Sequence, residues 1–312
     1  ITPDGPRGPK EIVSEGIVKI ARATNTPIIP CGFWSSRNIQ LKSWDAFLVT
    51  LPFSKCFFVW QNPIYIPENL KDSEIIKYQN LLKKMIDESI TKAKKLVLEC
   101  KNAGADAVKF QMWRAEDLYD TSHPNWKDIK KSELVFDKVR QIKKYSDNQG
   151  IEFFASAFYP EAVEFLENLH VKFYKIASRT TALMDQNSLE TMRAIAKTKK
   201  PVIISMGLGG NKRKIENIFK NNKKYFLYCI SKYPTKIDEL DFELMKKHDG
   251  FSDHTEGYLA PLLYAINSKS LNKMKFLEKH VSISESLGPD KPFSMDIENF
   301  TEMIKYIKTI LS

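Results

Sequence analysis

Residues 171–207 read VKFYKIASRTTALMDQNSLETMRAIAKTKKPVIISMG. Two short apolar runs, Val171–Ser178 and Pro201–Gly207, flank an amphipathic stretch at Ser188–Thr198. A short apolar run, a helical period and another short apolar run mark a parallel βα unit. The alternation extends in both directions. Strands are predicted at Asp106–Gln111, Ile151–Phe158, Tyr225–Ser231, Gly250–Thr255 and Met274–Ser282, and helical patterns at Glu161–Leu169, Ile237–Lys247 and Ile297–Leu311. Seven strands and a closing helix predict an α/β fold, a (β/α)8 barrel of the TIM type that lacks its own first strand. A long helix over about Ser73–Asn102 precedes the first counted strand, with Leu82, Met85, Ile86, Ile90, Ala93, Val97 and Cys100 on one face. In such a barrel this helix should follow strand one, and nothing clearly suited to strand one stands before it.

The first 70 residues have a different character. A turn-rich loop, Pro3-Asp-Gly-Pro-Arg-Gly-Pro9, leads to a predicted helix at Glu15–Thr24 and strands at Pro27–Phe33 and Lys55–Gln61. Composition shifts near Pro67, which places a junction between 67 and 75 and gives two domains, 1–72 and 73–312. Residue 1 is Ile and lies inside a motif, so an upstream part is expected.

Composition narrows the function classes. With 312 residues, 43% of them hydrophobic, the chain can bury one large core or two smaller ones. No apolar run reaches the roughly 18 residues a membrane span needs, and no signal-peptide layout is present. The formal charge is +10. Its runs, Lys199-Lys200, Lys212-Arg213-Lys214 and Lys223-Lys224, fall at predicted element ends and read as solvated loops. No nucleic-acid motif with interleaved aromatics accompanies them, whereas a small anionic substrate suits the charge. Cys31, Cys56, Cys100 and Cys229 show no paired spacing and sit in apolar stretches, as buried free thiols in a reducing cytoplasm do.

The chemistry is expected at the strand ends. Residues two apart on a strand share a face, so Lys109 pairs with Gln111, Ser252 with His254, and Glu278 with His280. Each pair lies near a strand C-terminus, where barrels of this type keep their active sites. Lys175 is embedded in a nearly apolar strand and must reach a polar cavity or an anion, because an unpaired buried ammonium is costly. His254 and His280, each beside a carboxylate (Asp253 and Glu278), suggest a divalent-metal pair; ligand type permits manganese, iron, cobalt or zinc. Ser178, Ser205 and Ser231 add hydroxyls suited to a phosphate or carboxylate.

These residues fall into six ordered motifs: Gly104-Ala-Asp-Ala-Val-Lys-Phe-Gln111, Lys175-Ile-Ala-Ser178, Tyr233-Pro-Thr235, Ser252-Asp-His-Thr255, Glu278-Lys-His280 and Gly288-Pro-Asp290. Over about two thirds of the chain they resemble the sialic acid synthase family, whose members join phosphoenolpyruvate to an N-acetylated amino sugar. The resemblance implies catalytic roles for Lys109, Lys175 and Glu278. It implies substrate binding by Gln111, Ser178, Ser205, Tyr233, Ser252 and Asp290, with a divalent metal, manganese or magnesium, on His254 and His280. The partners it implies are phosphoenolpyruvate and an N-acetylated hexosamine, in a cytoplasmic homodimer. The chain departs from the family pattern in four ways. It has no counterpart of the first strand with its catalytic glutamate and Asn-His-x-Gly turn. Arg179-Thr180 stand where an acidic residue is usual. The loop Met112–Glu133 has no asparagine-containing phosphate segment, and no C-terminal antifreeze-like domain follows.

The motifs Pro3–Pro9, Pro27-Ile-Ile-Pro-Cys-Gly-Phe33, Leu41-Lys-Ser-Trp-Asp45 and Pro52-Phe-Ser-Lys55 resemble the C-terminal part of a lysophospholipid-acyltransferase-like family, with Arg7 as phosphate ligand. That family's His-x4-Asp pair is expected upstream of this loop. His123-Pro-Asn-Trp-Lys-Asp128 repeats the spacing, but in the wrong place. Either Lys55–Gln61 or Pro63–Ile66 is expected to fill the place of the missing barrel strand. The leading expectation is a sialic-acid-type synthase, impaired to the extent that strand one is missing. An inactive fusion that keeps the barrel for binding comes second, and a phospholipid acyltransferase third.

Overall fold

The structure, a computed structural model, describes residues 13–35, 38–41, 48–52, 56–60, 63–271, 276–284, 286 and 290–312. The motif at residues 3–9, with Arg7, and the pair Gly288-Pro289 lie outside the described residues, as do parts of the motifs at 41–45 and 52–55. The chain divides into two compact units. One is Ile1–Ala93 with Val135–Gln141; the other is Lys94–Leu134 with Ile142–Ser312. The long helix Ile75–Ala103 passes from the first into the second.

In the first unit, the helix Glu15–Thr24 opens on Ser14, whose hydroxyl accepts from Gly16 N, and closes on Asn25 at φ 49°. Both are end signals that satisfy orphan backbone groups. Strands β1 (Cys31–Ser35), β2 (Asn38–Gln40), β3 (Leu48–Thr50) and β4 (Cys56–Trp60) form two antiparallel pairs, β1 with β4 and β2 with β3. Ile28 bridges Ile64, and both join Val18, Ile66, Leu70 and Leu82 in one small core. The segment 56–60 is therefore β4 against β1, and Ile64 lies against Ile28. Neither enters the barrel sheet, which overturns the expectation that one of them replaces strand one.

The second unit holds a seven-stranded parallel sheet: β5 (Ala107–Met112), β6 (Glu152–Ala157), β7 (Tyr174–Ile176), β8 (Val202–Ser205), β9 (Lys224–Tyr228), β10 (Gly250–Asp253) and β11 (Phe276–Lys279). Each pairs with its neighbours in sequence, so the order runs β11-β10-β9-β8-β7-β6-β5. The sheet curls into an incomplete TIM-type barrel, and among the described residues β5 and β11 are its two open edges. Helices cover the outer face, where Phe153, Phe165, Tyr174, Ile176, Met192, Ile195 and Phe251 are fully buried. Each such side chain contributes roughly 1.5–3 kcal/mol.

Three local readings are corrected. The stretch Ile237–Lys247 holds only a 3-10 turn, Ile237–Glu239, and a one-turn helix, Phe242–Met245, which Asp241 caps by accepting from Leu244 N. The predicted strand Met274–Ser282 ends at Lys279, and Val281–Ser282 pairs with Met295–Asp296 instead. The run Lys212-Arg213-Lys214 is exposed as expected, but on the first turn of a helix, Lys212–Ile218. Asn211 caps that helix through Lys214 N, which offsets part of the unfavourable charge at a positive helix end.

Candidate active site

Alternation along the strands stacks the inward side chains in tiers. The lower tier is apolar: Ala107, Phe154, Phe173, Ile203, Leu227 and Phe276 meet in one cluster. Strand β10 contributes Gly250 here, because a Cβ would come within 2.6 Å of Leu227 Cδ2 and 2.5 Å of the Phe276 carbonyl oxygen. Two residues further along the same strands stand Lys109, Ser156, Lys175, Ser205, Cys229, Ser252 and Glu278. Two more bring Gln111, Gly207, Ser231, His254 and His280. A period of two thus turns one set of strands into an apolar floor and a polar mouth.

The mouth is organised around one carboxylate. Glu278 Oε1 lies 3.0 Å from Lys109 Nζ and 3.6 Å from Lys175 Nζ, and it accepts from Ser252 Oγ at 2.8 Å. Lys175, 3% exposed, also donates to Ser205 Oγ at 2.8 Å. Burial alone would raise the Glu278 pKa; the charges of Lys109 and Lys175 outweigh it and hold the carboxyl well below its ordinary range. Burial lowers the Lys175 pKa, and Glu278 restores only part of the loss. Two ammonium groups against one carboxylate leave a net positive charge in a poorly hydrated place, which is a site prepared for an anion.

The other expected residues gather around it. Ser178 Oγ accepts from Gly207 N at 3.0 Å; the residue opens the short helix Ser178–Thr181 instead of ending a strand. Gln111 Nε2 donates to Asp290 Oδ2 at 2.8 Å, and that oxygen is 3.6 Å from His280 Nδ1. Tyr233 packs its ring 4.3 Å from that of His254.

The two imidazoles expected to hold a divalent ion, those of His254 and His280, lie close together. Their ring centroids are 5.4 Å apart. His254 Nδ1 donates to the Ile230 carbonyl at 2.6 Å; burial would lower the ring's pKa, but Cys229, that carbonyl and Glu278 outweigh it and raise the pKa above its ordinary value. Burial, helped by the Lys109 charge, holds the His280 pKa down to about 4, so this ring is neutral at pH 7. Neutral imidazole is the ligating form, so His280 is ready to ligate, and His254 would have to lose a proton to join it in holding a first-row metal. Among the described residues no cluster of three or more His, Cys, Asp or Glu surrounds them. Asp253, expected beside His254, faces the other way and binds Lys279.

Two residues of the mouth escaped the sequence reading. Ser156 is 1% exposed, and its Oγ has no hydrogen-bond partner. It is in register with Lys175 on one side and Gln111 on the other, so its hydroxyl belongs to the same inward face. The two-residue period from Phe154 could have found it. Cys229 is half-buried, contrary to the expectation of an enclosed thiol. Its Sγ lies 3.8 Å from each of Ser178 Oγ, Ser231 Oγ and His254 Nδ1. His123 donates or accepts nothing toward Asp128; its Nδ1 accepts from Asn125 N in a surface loop.

Comparison with known proteins places the chain in a family. The NeuB family model matches residues 96–312. The chain belongs to the NeuB family. A pseudaminic acid synthase of Campylobacter jejuni is 32% identical over 247 residues, covering 70% of this chain and 69% of that one. The human N-acetylneuraminate-9-phosphate synthase is 25% identical over 244 residues, covering 70% and 65%. The crystal structure of an N-acetylneuraminic acid synthetase from Leptospira borgpetersenii shares the fold, with a TM-score of 0.63 at 24% identity over 71% of this chain and 79% of that one. The chain spans about two thirds of the length of the curated relatives it matches. No helix among the described residues is long and apolar enough to cross a membrane.

Proposed function

We propose that this NeuB-family chain condenses phosphoenolpyruvate with an N-acetylated amino sugar, N-acetylmannosamine or a relative, to give a nonulosonic acid and inorganic phosphate. The observation that carries the reading is the pair Lys109 and Lys175 sharing one oxygen of Glu278. Phosphoenolpyruvate brings a phosphate and a carboxylate, and the lysines with Ser178, Ser205 and Ser252 offer charge and hydroxyls to both. Gln111, Tyr233 and Asp290 stand on the outer side of the mouth, where the sugar enters.

In the reaction, C3 of the enolpyruvate forms a bond to the sugar's aldehyde carbon, and the aldehyde oxygen becomes a hydroxyl. Water then adds at C2, loses a proton, and phosphate leaves. A divalent ion bound by His254 and His280 would supply Lewis-acid polarisation of the aldehyde oxygen. Lys109 and Lys175 hold the anion while charge develops on it, and Glu278 fixes both ammonium groups in place beforehand. Glu278 itself is a poor base, because its pKa is held so low. The open edges of the sheet favour a second reading, a barrel that binds these ligands without turning them over.

Phosphate release from phosphoenolpyruvate with manganese and a panel of N-acetylated hexosamines separates the two. Release that needs the sugar and disappears in His254→Ala supports the synthase. No release from a folded chain that still binds phosphoenolpyruvate supports the second reading.

A further inference from the structure

We propose that the face of the barrel opposite the mouth, at the starts of β7, β8 and β9, is a docking surface for a bilayer rich in anionic phospholipid. The proposal does not depend on which reaction the mouth performs.

Two lysine runs far apart in the sequence meet on this face. Lys199-Lys200 leads into β8 and Lys223-Lys224 opens β9. Their backbones are joined: Val202 N donates to the Lys223 carbonyl at 2.8 Å, and Asn222 Nδ2 donates to the Lys200 carbonyl at 2.9 Å. Lys172 leads into β7 beside them, where Tyr174 N donates to the Pro201 carbonyl at 3.0 Å. Adjacent strands run about 4.8 Å apart, so the three strand starts lie within roughly 10 Å of one another. Lys220, exposed in the turn before β9, adds a further ammonium group.

The carboxylates nearby are fewer and already engaged. Glu152 pairs with Lys172. Glu167 Oε1 takes both Lys200 Nζ and the Tyr174 hydroxyl, each at 2.7 Å. Asp249, at the next strand start, accepts from Phe226 N. Lys224 is turned to the Phe219 and Asn222 carbonyls, and among the described residues Lys199, Lys220 and Lys223 have no carboxylate within ion-pair distance. Six ammonium groups against three carboxylates leave a positive field over this face, which attracts an extended anion.

The chemistry of the cluster selects the anion. Every cation in it is a lysine. Arginine's planar fork reads a phosphate in a fixed geometry, whereas lysine is a point charge on a flexible stem and suits headgroups that move laterally. Single-stranded nucleic acid would ask for open aromatic faces. The ring at hand, Tyr225, instead has Lys223 Nζ 5.3 Å from its centroid and packs against the apolar floor. Because these residues sit at strand starts, a bilayer held here leaves the mouth at the strand ends open to solution.

The test measures co-sedimentation of the full chain with vesicles of phosphatidylcholine, alone or with about 40 mol% phosphatidylglycerol. One variant carries Lys199→Glu, Lys220→Glu and Lys223→Glu. A second carries Lys212→Glu, Arg213→Glu and Lys214→Glu, the same change of charge at the other end of the barrel. All six side chains are exposed, so both variants should fold. The parent is expected to sediment with the anionic vesicles only, and to be released as salt rises from roughly 0.1 to 0.5 M. Each ammonium group near such a surface is worth roughly fivefold in partitioning, so the first variant should partition at least thirtyfold less. The second should stay within about threefold of the parent, because its charges lie beyond the screening length of about 10 Å. Equal losses in the two variants, no loss in the first, or no binding by the folded parent would each overturn the proposal. So would binding to neutral vesicles, or tighter capture by duplex DNA than by anionic vesicles at equal phosphate concentration.

Discussion

Lys279 Nζ lies 2.6 Å from Asp253 Oδ2, with side chains 2% and 0% exposed, on the face of β10 and β11 opposite the active site. The two residues are register partners, and each immediately precedes a histidine of the mouth. The pair therefore ties together the strand ends that place His254 and His280. Asp253 Oδ1 also accepts from Thr255 N at 2.9 Å, which fixes the turn after His254. Lys279→Met leaves that carboxylate buried without its cation and is expected to cost about 3–5 kcal/mol in denaturant unfolding. Asp253→Asn added to it keeps the turn and removes the stranded charge, so the double variant should recover at least half of the loss. A loss below about 1 kcal/mol in the single variant would show that the pair is not enclosed.

Glu278 allows a test with an opposite sign for stability and binding. Glu278→Gln leaves Lys109 and Lys175 without their shared anion. The variant should unfold about 3–5 kcal/mol more easily. Inorganic phosphate should restore stability to it more than to the parent, because the anion takes the carboxylate's place. A phosphate response equal in the two proteins would remove the lysines from the anion site.

The orphan hydroxyl of Ser156 makes a similar forecast. Ser156→Ala deletes a buried group that has no partner, so stability should hold or rise by up to about 1 kcal/mol. If Ser156 serves the substrate, phosphoenolpyruvate affinity should fall roughly 10–100-fold in the same protein, about 1.5–3 kcal/mol for a hydrogen bond to a charged group. Unchanged affinity would make the residue structural.

Thiol reactivity should separate Cys229 from Cys100. Burial pushes the Cys100 thiol up to about 12, so it stays protonated through neutral pH. Burial would raise Cys229 as well, but the hydrogen bond and charge of His254, followed by the charge of Lys175, outweigh it and bring the thiol below its ordinary value. Because the thiolate is the reacting form, Cys229 should be alkylated at pH 8 roughly a hundredfold or more faster than Cys100. Its rate should fall as pH drops through its lowered pKa, and phosphoenolpyruvate should protect it. Site-resolved mass spectrometry measures both rates, and equal rates would contradict the assignment.

The barrel was legible in the sequence because its signals are local. Val171–Ser178, the helix after it and Pro201–Gly207 repeat a pattern whose period is set by two or three residues at a time, and the strand ends fell within a few positions of prediction. The mouth was legible for the same reason: Lys109 with Gln111, Ser252 with His254, and Glu278 with His280 follow from alternation. What failed was long-range. Nothing in Asp253 shows that its partner is Lys279 and not a metal, because register across strands decides that. The fate of Cys56–Trp60 was misread because an apolar strand fits either sheet, and its pairing with Cys31–Ser35 is a tertiary choice. Cys229 sits in an apolar run, yet its place one step beyond β9 carries it into the mouth.

In the proposed function, Lys109 and Lys175, held by Glu278, form the anion site for phosphoenolpyruvate. Calorimetric titration of phosphoenolpyruvate without sugar, into the parent chain and Lys175→Met, tests it most directly. One saturable site is expected in the parent, weakened roughly 10–100-fold in the variant by loss of about 1.5–3 kcal/mol of charged hydrogen bonding. Equal binding by two folded proteins, or no binding by a folded parent, would contradict it.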